Sequence, residues 1–413
     1  MMLKGKILII VWLIIVFYIC VPISCTHISL EESGRHYFTI DSIEGKMVLP
    51  ILLDNSIEAN LCFDTGTLCG SLDLDSAFCA EHPSILSGLS PVDSGYGGSA
   101  WASLKTYIYM YDNDQTIKIG NAGLLYNHML VYNWKYHAGS NLDGLLNIPQ
   151  NDTIHVWELN FEHSYLKIHS AQDFVMPENC FVTPFIRDKY KKEFNVQLPI
   201  KVETSSGDVL NLNHTYLIDT GMRWDVALMS NAEELHFFNK QKNAVWTGYL
   251  DTYYRSYDVK GSLPGFLNMD SLRIYTFDMP NDIHGSYLLG LNFLKRFNVF
   301  FDMKNRWLGL QAISNYRRIV NPLRRRFHIG FTQTSQGKMI VSKVADYEGN
   351  YYKTAGFVEG DEIINFNGVP YNKITPETFK SFFERDILHY DILRGGHPMK
   401  ITVHVDKDEA QGD

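Results

Sequence analysis

The 413-residue chain reads as a mainly β protein made of two copies of one β unit, followed by a small α+β domain. Three observations predict this. The segment Leu61-Cys62-Phe63-Asp64-Thr65-Gly66 returns as Tyr216-Leu217-Ile218-Asp219-Thr220-Gly221, each time an apolar run suited to a buried strand that ends in Asp-Thr-Gly. Each copy is followed at similar distance by an apolar-Gly-apolar segment, around Gly144 and Gly290, and then by β-like runs over 159–168 and 299–310. From about residue 315 the texture changes, with Arg317, Arg318, Arg324, Arg325 and Arg326 surrounding Pro322 before a new series of strand and helix signals.

The first unit opens as a β-meander: strands over 37–40 and 47–51 are joined at Glu44-Gly45, and residues 58–63 deliver Asp64. Residues 71–74 are extended, and Ser76–Glu81 is a short helix capped by Asp75 or Ser76. Tyr96, Gly97 and Gly98 lie in a Gly-rich tip ahead of an extended stretch over 102–111, the pattern of a candidate mobile flap over a cleft. Strands follow at 116–119 and 129–132, and residues 173–180 form the connection. The second unit repeats the hairpin before its Asp, with a turn at Ser205-Ser206-Gly207-Asp208, and repeats the helix over 232–238. Residues 246–259 are the counterpart of the Tyr96 tip but have no comparable glycine cluster, so no matching flap is expected.

A formal net charge of −9 without a Lys/Arg-rich face argues against nucleic acid as a partner. Lys4 and Lys6 precede an apolar run over 7–21, and polar sequence follows from Thr26, which reads as an export signal in residues 1–25. The alternative is an uncleaved signal anchor, since the run nears the length of a short span and no Ala-x-Ala site is present. Ile23-Ser24-Cys25 partly resembles a lipoprotein processing site, with Pro22 where a small aliphatic residue is usual. Membrane contact is therefore expected only through an uncleaved leader or a lipid on Cys25. The expected location is exported: periplasmic, cell-envelope or secreted. Cys62, Cys69, Cys79 and Cys180 remain beyond the leader; Cys69 paired with Cys79 or Cys62 would close a small loop around Asp64, whereas Cys62 alternating with Asp64 equally suits a buried thiol. No Cys-x-x-Cys or His-Glu-x-x-His spacing occurs, so neither a metal nor another cofactor is expected.

Two carboxylates held a few ångströms apart cannot both ionise easily, so the pair shares one proton over a wide pH range. Such a pair deprotonates a water with its charged member while the neutral member hydrogen-bonds a carbonyl. Asp64 and Asp219 are the candidate pair. Thr65, Thr67 and Thr220 supply hydroxyls that hold the turns, and Gly66 and Gly221 allow a close backbone approach. On these residues the chain resembles the retropepsin/pepsin-type aspartic peptidases in single-chain form, over about residues 37–310. The resemblance implies two retropepsin-like β lobes (34–175 and 176–314) with a cleft between them and hydrolysis of a polypeptide substrate. The second copy departs from the pattern at Met222 and Arg223. Met222 removes a hydroxyl, and Arg223, expected outward in solvent, would favour a doubly ionised pair if it turned inward. These departures motivate the alternative of a catalytically silent peptide-binding or scaffold protein that keeps the cleft.

After a linker over 315–325, residues 326–406 resemble a PDZ domain of the bacterial type, through His328-Ile329-Gly330-Phe331, Ala355-Gly356-Phe357, Glu359-Gly360-Asp361 and Asn367-Gly368. Strands are expected over 327–332, 338–344, 362–366 and 401–405, with helices over 351–355 and 376–384, and 407–413 is a tail. The resemblance implies that successive N–H groups of Ile329, Gly330 and Phe331 receive the carboxylate of a peptide C-terminus, with the peptide adding as a strand. The other reading leaves this domain a docking unit with an unused groove.

Overall fold

A computed structural model of the chain describes residues 34–41, 45–53, 56–67, 71–97, 106–132, 142–149, 152–186, 194–228, 231–240, 245–249, 252–276, 287–317, 329–334, 338–344, 351–374, 378, 381–382 and 385–405. The leader, Cys69, Gly98 and the basic segment 318–328 lie outside these residues. Among the described residues the protein is mainly β, and no helix is long and apolar enough to cross a membrane.

The strands are β1 (Arg35–Tyr37), β2 (Thr39–Ile40), β3 (Met47–Leu53), β4 (Ile57–Phe63), β5 (Ser71–Asp75), β6 (Asp93–Gly97), β7 (Thr106–Ile119), β8 (Ala122–Tyr132), β9 (Gly144–Leu146), β10 (His155–Asn160) and β11 (Tyr165–Ser170) in the first unit. The second unit holds β12 (Cys180–Ile186), β13 (Asn195–Glu203), β14 (Val209–Asp219), β15 (Val226–Leu228), β16 (Val245–Tyr249), β17 (Thr252–Leu263), β18 (Leu267–Thr276), β19 (Tyr287–Gly290), β20 (Phe297–Asp302) and β21 (Trp307–Ala312).

Their pairing repeats strand for strand. β4 runs parallel to β9 as β14 does to β19; β5 is antiparallel to β9 and parallel to β8 as β15 is to β19 and β18. β3 and β13 each close back on β7 and β17. The remaining strands join the units: β1-β11-β10-β20-β21-β12 is symmetric about the antiparallel β10–β20 pair. The inward residues of β3, Met47, Leu49, Ile51 and Leu53, alternate with exposed or half-exposed ones, so one sheet face is buried. They join one core cluster that continues through Phe63, Trp157, Ile218 and Phe301 into the second unit.

Helix α1 (Ser76–Glu81) is capped by Asp75, whose Oδ1 accepts from the N–H groups of Ala77 and Phe78 at 2.9 and 3.3 Å. Helix α2 (Ala232–Asn239) occupies the same place after β15 and carries a full capping box between Asn231 and Glu234. The stretches expected as two strands over 102–111 and 116–119 form one strand, β7, from Thr106. An irregularity between Asp112 and Gln115 absorbs the break in alternation while the ladder with β8 continues. β6 and β7 make the hairpin expected around Tyr96. A second hairpin, β16–β17, stands at the matching position despite its lack of a glycine cluster.

At the start of the expected linker the Arg296 guanidinium stacks 4.0 Å from the Tyr316 ring centroid. The C-terminal sheet runs β22 (Ile329–Gln333), β23 (Met339–Val344), β24 (Glu362–Phe366), β26 (Ile387–Arg394), β27 (His397–His404), with β25 (Val369–Pro370) beside β24. It encloses its own core around Tyr352, Phe357, Phe366, Leu388 and Tyr390. Helix α4 (Tyr351–Thr354), which follows the short α3 (Leu291–Leu294) in chain order, matches the expected position. In the helix expected over 376–384, Thr378, Ser381 and Phe382 are helical and the remaining residues lie outside the described set. β26 is absent from the sequence reading.

Candidate active site

The ends of β4 and β14 deliver Asp64 and Asp219 to one place. Each turn leaves a strand whose preceding residue, Phe63 or Ile218, is fully buried, so the carboxyl is the first side chain to emerge from the core. The turns lock together through their threonines. Thr65 Oγ1 donates to the Ile218 carbonyl at 2.8 Å and accepts from the Thr220 N–H at 3.2 Å; Thr220 Oγ1 donates to the Phe63 carbonyl at 2.8 Å and accepts from the Thr65 N–H at 3.0 Å. Both threonines are buried, and each hydroxyl satisfies two backbone groups of the opposite unit.

The glycines set the spacing. A Cβ on Gly66 would stand 2.5 Å from the Asp219 Cγ, and one on Gly221 would stand 2.2 Å from the Asp64 Cγ, so each carboxyl rests against the other turn's backbone. The two carboxyls lie within hydrogen-bonding reach of each other. Asp64 Oδ1 accepts from the Gly66 N–H at 2.8 Å, and Asp219 Oδ1 accepts from the Met222 N–H at 2.9 Å. Desolvation raises both carboxyls above the ordinary range, and the Asp64 charge adds to the rise at Asp219. Lys46 opposes this at both. The pair therefore titrates as a unit.

Lys46 is a site residue that the sequence reading misses. The β3–β4 ladder pairs Val48 with Cys62, and the same register carried on by two residues sets Lys46 opposite Asp64. Nothing local to Gly45-Lys46 announces this; only the hairpin register does. Arg223 is half-buried with its Nη1 enclosed, rather than outward in solvent as expected. It is not among the groups that act most strongly on either carboxyl; the cation among those is Lys46. The hydroxyl absent at Met222 costs Asp219 little, because Thr67 Oγ1 donates to the Asp64 backbone carbonyl at 3.2 Å and the Met222 N–H itself serves Asp219.

The register also corrects the match between the two glycine segments. Gly290 is paired with Asp219, and the residue that follows the same register beside Asp64 is Asn147, not Gly144. Asn147 Nδ2 donates to the Thr67 carbonyl at 3.2 Å and so ties the first turn down. A Cβ on Gly290 would stand 2.3 Å from the Trp224 carbonyl oxygen, so the second turn packs where a side chain would go. Gly144 answers a different contact, since its Cβ would meet the Asp73 carbonyl oxygen at 2.0 Å.

Cys62, Cys79 and Cys180 are free thiols, so the small disulfide loop around Asp64 is not formed by Cys62 or Cys79. Cys62 is fully buried against Leu142 and Leu145, and Cys79 packs into the main core from α1. Tyr96 and Gly97 fall in β6, while Gly98 and the remainder of the tip lie outside the described residues. Ile329, Gly330 and Phe331 fall together in β22, far along the chain from the carboxyl pair. Among the described residues no group of three His, Cys, Asp or Glu side chains is arranged to hold a metal ion. No protein-family model matches the chain, and no curated protein matches its sequence.

Proposed function

We propose that the chain is an exported aspartic endopeptidase of the two-lobed pepsin/retropepsin type, hydrolysing peptide bonds through a water activated by Asp64 and Asp219. The observation that carries this reading is the paired, mutually buttressed carboxyls, each backed by the other turn's glycine and tied by the reciprocal threonine bonds. In this mechanism the charged member takes a proton from water while the neutral member donates to the scissile carbonyl. The water then attacks without a covalent intermediate. The β6–β7 hairpin would act as a flap above the pair. Export is read from the leader alone.

The C-terminal domain fits a PDZ-like docking role. β22 ends its sheet and pairs only with β23 among the described residues, and a peptide strand would add along its other edge. Ile329, Gly330 and Phe331 would then present N–H groups to the peptide's terminal carboxylate.

A peptide library incubated with the protein lacking its leader, from acid to neutral pH, tests the reading beside Asp64→Asn and Asp219→Asn. Cleavage by the parent, lost in both variants by several orders of magnitude, is the expected result. Because both carboxyls are raised, activity should persist through mildly acidic pH and fall as the shared proton is lost at higher pH. A folded parent that binds peptides but cleaves none would instead favour the silent binding protein.

A further inference from the structure

The side of the first sheet that bears Asp64 carries a third carboxyl. Along β4, Leu61 and Phe63 enter the main core, so Cys62 and Asp64 point to the opposite face. On that face Cys62 pairs with Leu145 of β9, and Leu145 pairs with Asp73 of β5. Cys62, Leu145, Leu142 and Val48 form a small apolar cluster apart from the main core. Asp73 stands one strand beyond it and is 5 % exposed. Its Oδ1 is taken by the Ser71 hydroxyl at 2.7 Å, while Oδ2 has a long contact of 3.4 Å from the hydroxyl of Tyr132, a half-buried residue at the end of β8. The charge of Asp64 acts on both Asp73 and Tyr132, which places the three groups in one neighbourhood.

The internal repeat provides a control. In the second unit the same register positions hold Leu217, Leu288 and Ala227, all buried and all apolar. The architecture therefore has no need of a carboxyl here. Among the described residues no cation pairs with Asp73, and a carboxyl so buried is costly to ionise, so the position suits a cationic visitor.

We infer that Asp73 is a specificity-determining residue that receives the cationic end of a lysine or arginine side chain flanking the scissile bond. Such a side chain would reach Asp73 from the side of Tyr132, whose hydroxyl its ammonium or guanidinium would displace at Asp73 Oδ2. This rests on the proposed peptide-cleft reading, and deepens it by naming the substrate class.

The test is a binding ladder in the Asp219→Asn background, where turnover does not interfere. Peptides that differ only in having lysine, arginine, norleucine or glutamate at each position flanking the cleaved bond are compared. Where the parent cuts no peptide, the same scan is run at every position of the tightest-binding one. Lysine and arginine peptides should bind about tenfold or more tighter than norleucine at one position. That advantage should fall to within roughly threefold on adding Asp73→Asn, which keeps the Ser71 contact, and likewise on adding Asp73→Ala, the residue type of the second unit. Equal binding of lysine and norleucine peptides, or a preference that survives both substitutions, would overturn the assignment. Failure of hydrolysis shows separately, as absence of cleavage by the parent, and leaves the ladder to decide on Asp73.

Discussion

Thr65 and Thr220 join the units with four hydrogen bonds that no solvent can replace, since both residues are buried. Thr220→Val keeps the shape but strands the Phe63 carbonyl and the Thr65 N–H, so it should lower unfolding free energy by about 1–3 kcal/mol in urea titration. It should also slow peptide cleavage, because the carboxyls are carried on the same turns. Asp73 yields a prediction of opposite sign. Desolvation pushes its carboxyl up to about 7, against the Ser71 bond and helped by the Asp64 charge. A raised carboxyl contributes its stability in full below the ordinary range near pH 4, and that contribution is lost as pH rises through 7. Asp73→Asn should therefore flatten the stability profile between these limits, by at most roughly 4 kcal/mol, and leave the variant more stable than the parent at pH 8. A parent whose urea midpoint does not fall over this range would refute it.

At the scale of the element, the turns after β4 and β14 depend on residues that lack a side chain. Gly221→Ala would place a methyl 2.1 Å from an Asp64 carboxyl oxygen, so the pair must move apart. Cleavage should drop at least a hundredfold, on the order expected when reacting groups shift by about 1 Å, while circular dichroism stays β-rich. Most elements were legible from alternation and turn residues: β3, β4, β5, α1 and α2 fall within a few residues of expectation. β26 was not, although Leu388, Tyr390 and Ile392 alternate inward. His389 and Asp391 between them, and the paired glycines that follow, read as loop until the partner strands supply the hydrogen bonds. The equation of Gly144 with Gly290 failed for a related reason. Both segments look alike in sequence, but the parallel ladder to β4 or β14 decides which residue faces the carboxyl.

At the scale of the whole molecule, the described residues form two large hydrophobic cores. One cluster runs from Met47 through Trp157 to Leu310 without a break between the units, and another lies within the C-terminal domain. The two units should accordingly unfold in one transition and the C-terminal domain in its own. Truncation after Arg317, which retains the Arg296–Tyr316 stacking, should remove one transition from the calorimetric trace and leave the other within about 2 °C. A single shared transition in the full chain would count against separate cores. The packed rings of Phe63 on Trp157 and of Phe194 on Phe301 explain why the carboxyl turns above them hold their geometry: their strands cannot shift without opening these aromatic contacts.

By itself the sequence determined the β class, the duplication and the two aspartates, because alternation, turn chemistry and a repeated motif are all local properties of the chain. Only the tertiary structure decided that Lys46 stands opposite Asp64, that Asn147 takes the place of Gly290, and that Asp73 shares a face with Cys62. Each of these follows from strand register, which is fixed by pairing between segments far apart in the chain. A shift of one residue would turn every side chain to the other face, so no short window of sequence contains that information.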